Sequence, residues 1–206
     1  YGQVLIDIVR VGTRYEVPVD VLLARIAIGA IADPAVDADG MLTLSLGDAT
    51  LDFDEVMKRV VGIALEEFEA DRAWILGPID EPALFVDVAY EATRPEWPGA
   101  LARGEKIPLA SSRPFLRRAS ESSEPVEGWP GEEGLDANML RQFGALSQLV
   151  QILRTRDDRS WAFGLHSCAR PRSWSVQEKR LFGTIGRYAK LAIDNAILHR
   201  RAIAEA

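Results

Sequence analysis

The side chains best suited to chemistry are His166 and Cys168, which lie two residues apart. Residues 161–168 are apolar, with charge before them and Pro171 after them, and this pattern predicts a strand. Alternate residues of a strand project from the same face, so His166 and Cys168 share a face. Two kinds of chemistry have this pattern, a metal site and a Cys–His nucleophile pair.

The rest of the chain supports neither chemistry. A zinc site takes about four ligands, and the only other histidine, His199, falls on the predicted C-terminal helix. A catalytic cysteine needs its base within hydrogen-bond reach, whereas side chains two apart on a strand usually lie farther apart. We therefore expect no metal site and no enzymatic activity, and we interpret His166 and Cys168 as a partly buried polar pair.

Charge and cysteine content restrict the partners and the compartment. The net charge of -7 and the pI near 5.0 argue against a nucleic-acid partner, which requires clustered lysine and arginine. Cys168 is the only cysteine, which excludes an intrachain disulfide and fits the cytoplasm. No apolar run is long enough to span a bilayer, so we expect no membrane insertion. Because the chain begins with Tyr1 rather than methionine, we interpret it as part of a longer protein.

A long helix follows the predicted strand. Ser175 and Glu178 have capping-box spacing, in which each side chain bonds the other's free backbone N–H. From Val176 onward, one apolar stripe has the 3.6-residue spacing of a helix that packs on the protein's own sheet. A second seam, with residues seven apart, predicts a homodimer through this helix. The seam consists of Thr184, Leu191, Leu198 and Ala202.

Upstream, the patterns predict another helix and a sheet. A helix begins at Asp52, and Gly62 inside it indicates a close helix approach, since glycine costs about 1 kcal/mol relative to alanine there. Strands are predicted at 72–79, 84–90, 147–154 and 160–167, and short helices at 113–120 and 135–143. This order predicts a mostly antiparallel sheet with helices on its faces. Residues 1–50 contain a predicted strand at 4–11 and a predicted helix at 19–32.

The C-terminal motifs resemble those of a GAF domain. A strand ending His-x-Cys is followed by Pro-Arg-x-Trp and by a helix that opens Ser-x-x-Glu and continues Leu-Phe-x-x-Ile-Gly-Arg. The resemblance is closest to GAF domains of bacterial sensor histidine kinases, then to those of phytochrome-like photoreceptors, and it covers residues 51–202. It implies an α+β, GAF/PAS-like fold: a central, mostly antiparallel sheet of about five to six strands, with long terminal helices on one face and short helices and loops over the other. Residues 1–50 would be an N-terminal extension or the end of a preceding module.

The resemblance also implies a function. The chain would be a sensory or regulatory domain of a cytoplasmic signal-transduction protein, namely a two-component sensor histidine kinase whose catalytic domain lies outside this chain. A ligand would shift the packing of the terminal helices. The alternatives are a ligand-free dimerisation spacer and a phytochrome-like photosensory domain. In bilin-binding relatives the attachment cysteine precedes the penultimate strand; residues 135–145 contain none, so no covalent bilin and no other cofactor is expected.

In relatives, the pocket lies between the sheet and the excursion that joins the second and penultimate strands. On the last strand, large Phe163 and Leu165 suit the face covered by the long helices. Small or polar residues share the other face, which suits a ligand pocket. These residues are Ala162, Gly164, His166 and Cys168.

We therefore predict His166 as the polar anchor for an unidentified small molecule, with Cys168 on the same face. Arg94 and Trp97 would close over the ligand, and Arg94 would favour an anionic group. The alternative is that His166 bonds a loop carbonyl and Arg94 pairs with Glu96 at the surface.

Overall fold

The computed structural model describes the backbone of residues 3–8, 13–18, 32–36, 42–45 and 53–204, and the side chains of residues 53–198. The first four strands are β1 (Gln3–Ile8), β2 (Thr13–Pro18), β3 (Ala32–Val36) and β4 (Leu42–Ser45). They form one sheet in the order β2-β1-β4-β3. The strand predicted at 4–11 corresponds to β1. The helix predicted at 19–32 lies outside the described residues, except for Ala32 in β3.

A five-stranded sheet forms the centre of residues 53–204. Its strands are β5 (Arg72–Leu76), β7 (Val88–Thr93), β9 (Val126–Gly128), β10 (Ser147–Arg154) and β11 (Ser160–Ser167). Their order is β7-β5-β11-β10-β9, and every neighbouring pair is antiparallel. The predicted α+β fold with a mostly antiparallel sheet is confirmed.

Two long helices cover one face of this sheet, and shorter ones lie between its strands in sequence. The helices are α1 (Phe53–Glu67), α2 (Ala100–Arg103), α3 (Arg113–Glu121), α4 (Ala137–Gln142) and α5 (Val176–Ala204). Apolar residues of α1 and α5 form one core with Phe163 and Leu165 of β11. Among the described helices, none combines the length and apolarity that a bilayer-spanning segment needs.

The structure describes the predicted start of α5 but not that of α1. The capping box of α5 is present: the Ser175 N–H donates to Glu178 Oε2 at 2.7 Å, and the Glu178 N–H donates to Ser175 Oγ at 3.2 Å. Asp52, the predicted start of α1, lies outside the described residues. The close helix approach expected at Gly62 is wrong, because a Cβ there would meet nothing within 4 Å.

The excursion between β7 and β10 covers the other face of the sheet. It includes α2 to α4, a 3-10 turn at Ala110–Ser112, and β8 (Ile107–Pro108), which pairs with β6 (Phe85–Val86). The strand predicted at 84–90 is therefore divided: its first part pairs with β8, whereas its second part, β7, pairs with β5. Strand β9 lies between the two predicted short helices, where no strand was predicted. Its three residues pair with β10 through backbone hydrogen bonds. Such pairing does not depend on side-chain type, so no periodic pattern in the sequence indicates it.

Candidate ligand-binding site

A cavity lies between the sheet and the excursion. It holds about 550 Å³ of space not filled by atoms, part of which opens to solvent. Most of its wall is apolar and is contributed by β5, β10 and the excursion. Its polar lining residues are Arg72, Glu91, Ser112, Gln148 and His166.

The buried guanidinium of Arg72 organises the polar part of the wall. Arg72 is 1% exposed and begins β5. Its Nη2 donates to the backbone carbonyls of Trp97 at 3.0 Å, Pro98 at 3.1 Å and Phe143 at 3.1 Å. Arg72 therefore ties the sheet to the loop after β7 and to the residue that follows α4.

His166 lies directly opposite Arg72 in the pairing of β11 with β5. Its Nδ1 is 3.0 Å from Arg72 Nη1. An arginine can only donate, so Nδ1 accepts, and the neutral ring carries its proton on Nε2. Burial lowers the pKa of His166 well below its ordinary value, and the charge of Arg72 lowers it further. The imidazole is thus an uncharged part of the cavity wall at neutral pH.

Glu91 supplies the negative charge of the site. Its Oε1 is 3.9 Å from Arg72 Nε, and its Oε2 accepts a hydrogen bond from the Leu101 N–H at 3.0 Å. Burial raises the pKa of Glu91, while the charge of Arg72 and the backbone N–H groups at the start of α2 partly offset this. The carboxylate balances the guanidinium, so the polar part of the wall carries no net charge.

The structure separates the four predicted ligand contacts. His166 lines the cavity, whereas Arg94, Trp97 and Cys168 do not. Trp97 contributes its backbone carbonyl to Arg72. The Cys168 thiol is buried 3.9 Å from the carbonyl oxygen of Phe143, and burial raises its pKa to about 11.

Arg94 lies on the helix side of the molecule. Its Nη1 and Nη2 donate to the two carboxylate oxygens of Glu66 on α1, at 2.7 and 3.0 Å. Its hydrogen-bonded partner is therefore Glu66, rather than a group in the cavity or the expected Glu96.

The predicted dimer seam is partly exposed. Leu191 and Leu198 are 51% and 43% exposed on α5. Thr184 is buried; its hydroxyl donates to the Arg180 carbonyl and accepts from Arg187 within the same helix. The side chain of Ala202 lies outside those described. Among the seam residues whose side chains are described, Leu191 and Leu198 are thus the ones exposed to a partner.

Four polar lining residues were missed in the sequence: Arg72, Glu91, Ser112 and Gln148. Arg72 left a signal, since it stands at the head of an otherwise apolar strand whose five residues are all buried. A charge in such a position needs buried partners. Glu91 and Ser112 left none, because their burial depends on how the excursion folds back over the sheet.

No protein-family model matches the sequence, and no curated protein matches it either. Solved structures of GAF domains do match. The GAF domain of Thermosynechococcus elongatus PixJ in its blue-light-absorbing form is 18% identical, with a TM-score of 0.58 over 75% of this chain and 92% of that chain. A phycocyanobilin-bound GAF domain from a cyanobacterial phytochrome is 17% identical, with a TM-score of 0.61 over 73% and 88%. The second GAF domain of DevS from Mycobacterium smegmatis is 21% identical, with a TM-score of 0.54 over 73% and 99%. The chain therefore has the fold of a GAF domain.

Proposed function

We propose that this chain is a sensory domain that binds a small molecule in the cavity and passes the binding event to α5. The observation that carries the proposal is the cavity, whose mostly apolar wall contains a few converging polar groups. Small-molecule sites generally have this composition. One of the similar GAF structures is described as phycocyanobilin-bound, which supports a small-molecule ligand for this fold.

Two groups of hydrogen bonds lie between the cavity and the start of α5. His166 lines the cavity. Just beyond it, Asp71 Oδ2 accepts from the backbone N–H groups of Cys168 at 2.6 Å and Ala169 at 2.9 Å. Arg172 then pairs with Glu178 in the first turn of α5 and donates to the carbonyl of Phe68 at 2.6 Å. A ligand that favours one position of β11 would therefore favour one position of α5.

The proposal includes a homodimer through α5, with Leu191 and Leu198 as its contacts. In it the chain regulates a histidine kinase in the cytoplasm, and the catalytic domain of that kinase lies outside this chain. The second candidate is a ligand-free dimerisation spacer, which the exposure of the same two leucines favours. The two candidates differ in whether the cavity is used.

A covalently attached bilin forms no part of the proposal. The chain has one cysteine, Cys168, and its side chain does not line the cavity. The raised thiol pKa, about 11, disfavours the nucleophilic thiolate. The absorbance spectrum of protein co-expressed with a bilin would show an adduct if this part of the proposal were wrong.

A fragment screen by ligand-observed NMR tests the cavity as the binding site. Val150 lines the cavity and is buried, so Val150→Phe should fill it. Val176→Phe makes the same change at an exposed position of α5 and is the matched control. We expect fragments to bind the wild type and the control but not the filled variant. Binding that survives in a folded Val150→Phe protein would place the site elsewhere, and a screen with no hits would favour the spacer.

A further inference from the structure

Three buried polar atoms, each on a residue that lines the cavity, have no hydrogen-bond partner among the described residues. They are Nε of Arg72, Nε1 of Trp74 and Oγ of Ser112. The residues that carry them are 1%, 5% and 5% exposed, respectively. Buried donors are nearly always paired, and leaving one unpaired is costly. Such atoms in one cavity therefore indicate a partner that the ligand supplies.

The required partner is an acceptor. The Nε–H of Arg72 and the indole N–H of Trp74 can only donate, and the hydroxyl of Ser112 is able to donate. Two further buried polar atoms lack partners, Gln151 Oε1 and Trp174 Nε1, but neither residue lines the cavity. Of the four unpartnered groups that can donate among the described residues, three therefore belong to residues that line the cavity.

The charge of the wall argues against an anion. Arg72 faces the carboxylate of Glu91 at 3.9 Å, and burial lowers the pKa of His166 so that its ring stays neutral. An anion would lose its hydration without meeting a net positive charge. Arg94, the sequence-based candidate for holding an anion, is paired with Glu66 outside the cavity.

We infer that the cavity takes an uncharged, mostly apolar molecule that presents a carbonyl-type oxygen to Trp74, Ser112 and Arg72. This inference rests on the proposed function and specifies the chemical class of its ligand. Aryl ketones and aldehydes are the simplest members of that class. Their ring fits an apolar wall, and their single oxygen accepts without carrying charge.

Three small probes of nearly the same shape test the inference, each titrated into the full chain by calorimetry. Acetophenone has the apolar ring and the acceptor, α-methylstyrene replaces the oxygen with a methylene group, and benzoate adds a negative charge. One neutral hydrogen bond is worth about 1 kcal/mol, or roughly fivefold in affinity. We expect acetophenone to bind at least about threefold more tightly than α-methylstyrene, and benzoate to bind most weakly.

Variants connect this difference to the named atoms. Ser112→Ala and Trp74→Phe remove a donor each and should narrow the preference for acetophenone over α-methylstyrene. Trp174→Phe is the matched control, since it removes an equally unpartnered indole N–H outside the cavity. It should leave the preference unchanged.

Two results would overturn the inference and leave the proposed function standing. One is α-methylstyrene or benzoate binding as tightly as acetophenone, with binding lost in Val150→Phe. The other is rejection of all three probes by a protein that binds other fragments in the cavity. If Val150→Phe leaves probe binding intact, the proposed function fails instead.

Discussion

Arg72 and His166 face each other across β5 and β11, and Nη1 of the arginine donates to Nδ1 of the histidine at 3.0 Å. The same guanidinium donates to three backbone carbonyls of the excursion, those of Trp97, Pro98 and Phe143. One buried side chain therefore links the centre of the sheet to the segments that cover the cavity. The shape of the cavity depends on this link.

Replacing Arg72 with methionine should destabilise the fold by about 3 kcal/mol, because it leaves buried carbonyls unpaired and removes the positive charge that faces the Glu91 carboxylate. Urea denaturation measures the change as a lower midpoint. Arg94→Met is the matched control, since it removes an arginine whose carboxylate partner, Glu66, is exposed. The control should change stability far less. Equal effects of the two variants would show that Arg72 does not organise the site.

His166 should make stability depend on pH. Its pKa in the folded protein is lowered, so below the unfolded value of about 6.5 the unfolded chain binds more protons. The stability contributed by the neutral ring is therefore complete above about pH 6.5 and is lost as the pH falls further.

His166→Asn retains an acceptor for Arg72 and removes the titration. The free energy of unfolding should fall more steeply from pH 7 to pH 5 in the wild type than in the variant. The pKa of Glu91 is raised in the folded protein, so Glu91 adds to the free energy of unfolding as the pH falls. Its effect is therefore opposite to that of His166. It is present in both proteins, so the difference between their curves isolates His166. Parallel curves would contradict the buried, neutral state.

Gly164 should be intolerant of a side chain. A Cβ there would lie 2.2 Å from Cζ2 of Trp74, so Gly164→Ala must displace the indole that lines the cavity. Overpacking of this kind costs about 1–3 kcal/mol, and fragment binding should weaken with it. Gly62→Ala is the control in α1, where a Cβ meets nothing within 4 Å. It should stabilise the helix by up to about 1 kcal/mol. If calorimetric melting temperatures change alike in both variants, the close contact with Trp74 is wrong.

Leu191→Glu should weaken self-association and leave the fold intact, because Leu191 is half exposed on α5. Sedimentation equilibrium of the full chain measures the dimer, and circular dichroism monitors the fold. Val176→Glu, an exposed apolar position at the start of the same helix, is the control and should leave association unchanged. Unfolding of Leu191→Glu would mean that this face packs on the sheet.

Strand alternation and helix-capping patterns in the sequence were sufficient to predict β10, β11 and the start of α5. The bounds predicted for β10 and β11 and the start of α5 at its capping box agree with the structure. The alternation along β11 separates Phe163 and Leu165, in the core shared with the long helices, from His166 on the cavity wall. The sequence pattern predicts such faces because the backbone of a strand directs successive side chains to opposite sides of the sheet.

The polar wall of the cavity depends on long-range contacts and was not predictable in the same way. Arg72 and His166 are 94 residues apart in sequence. Arg94 pairs with Glu66 on α1, 28 residues upstream. Arg72 begins a predicted strand, whereas Arg94 lies beyond the end of one. The sequence therefore carries a signal for the burial of Arg72, but none for the partners of either arginine. Their roles follow from which strands become neighbours.

The most direct test of the cavity as a ligand site uses the indole N–H resonances of the five tryptophans in a ¹⁵N–¹H correlation spectrum. Trp74→Phe and Trp174→Phe assign the two buried, unpartnered indoles. On titration with acetophenone, the account predicts that the Trp74 resonance shifts progressively to saturation while the Trp174 resonance stays in place. A shift of Trp174, or of an exposed tryptophan such as Trp129, with Trp74 unmoved would contradict it.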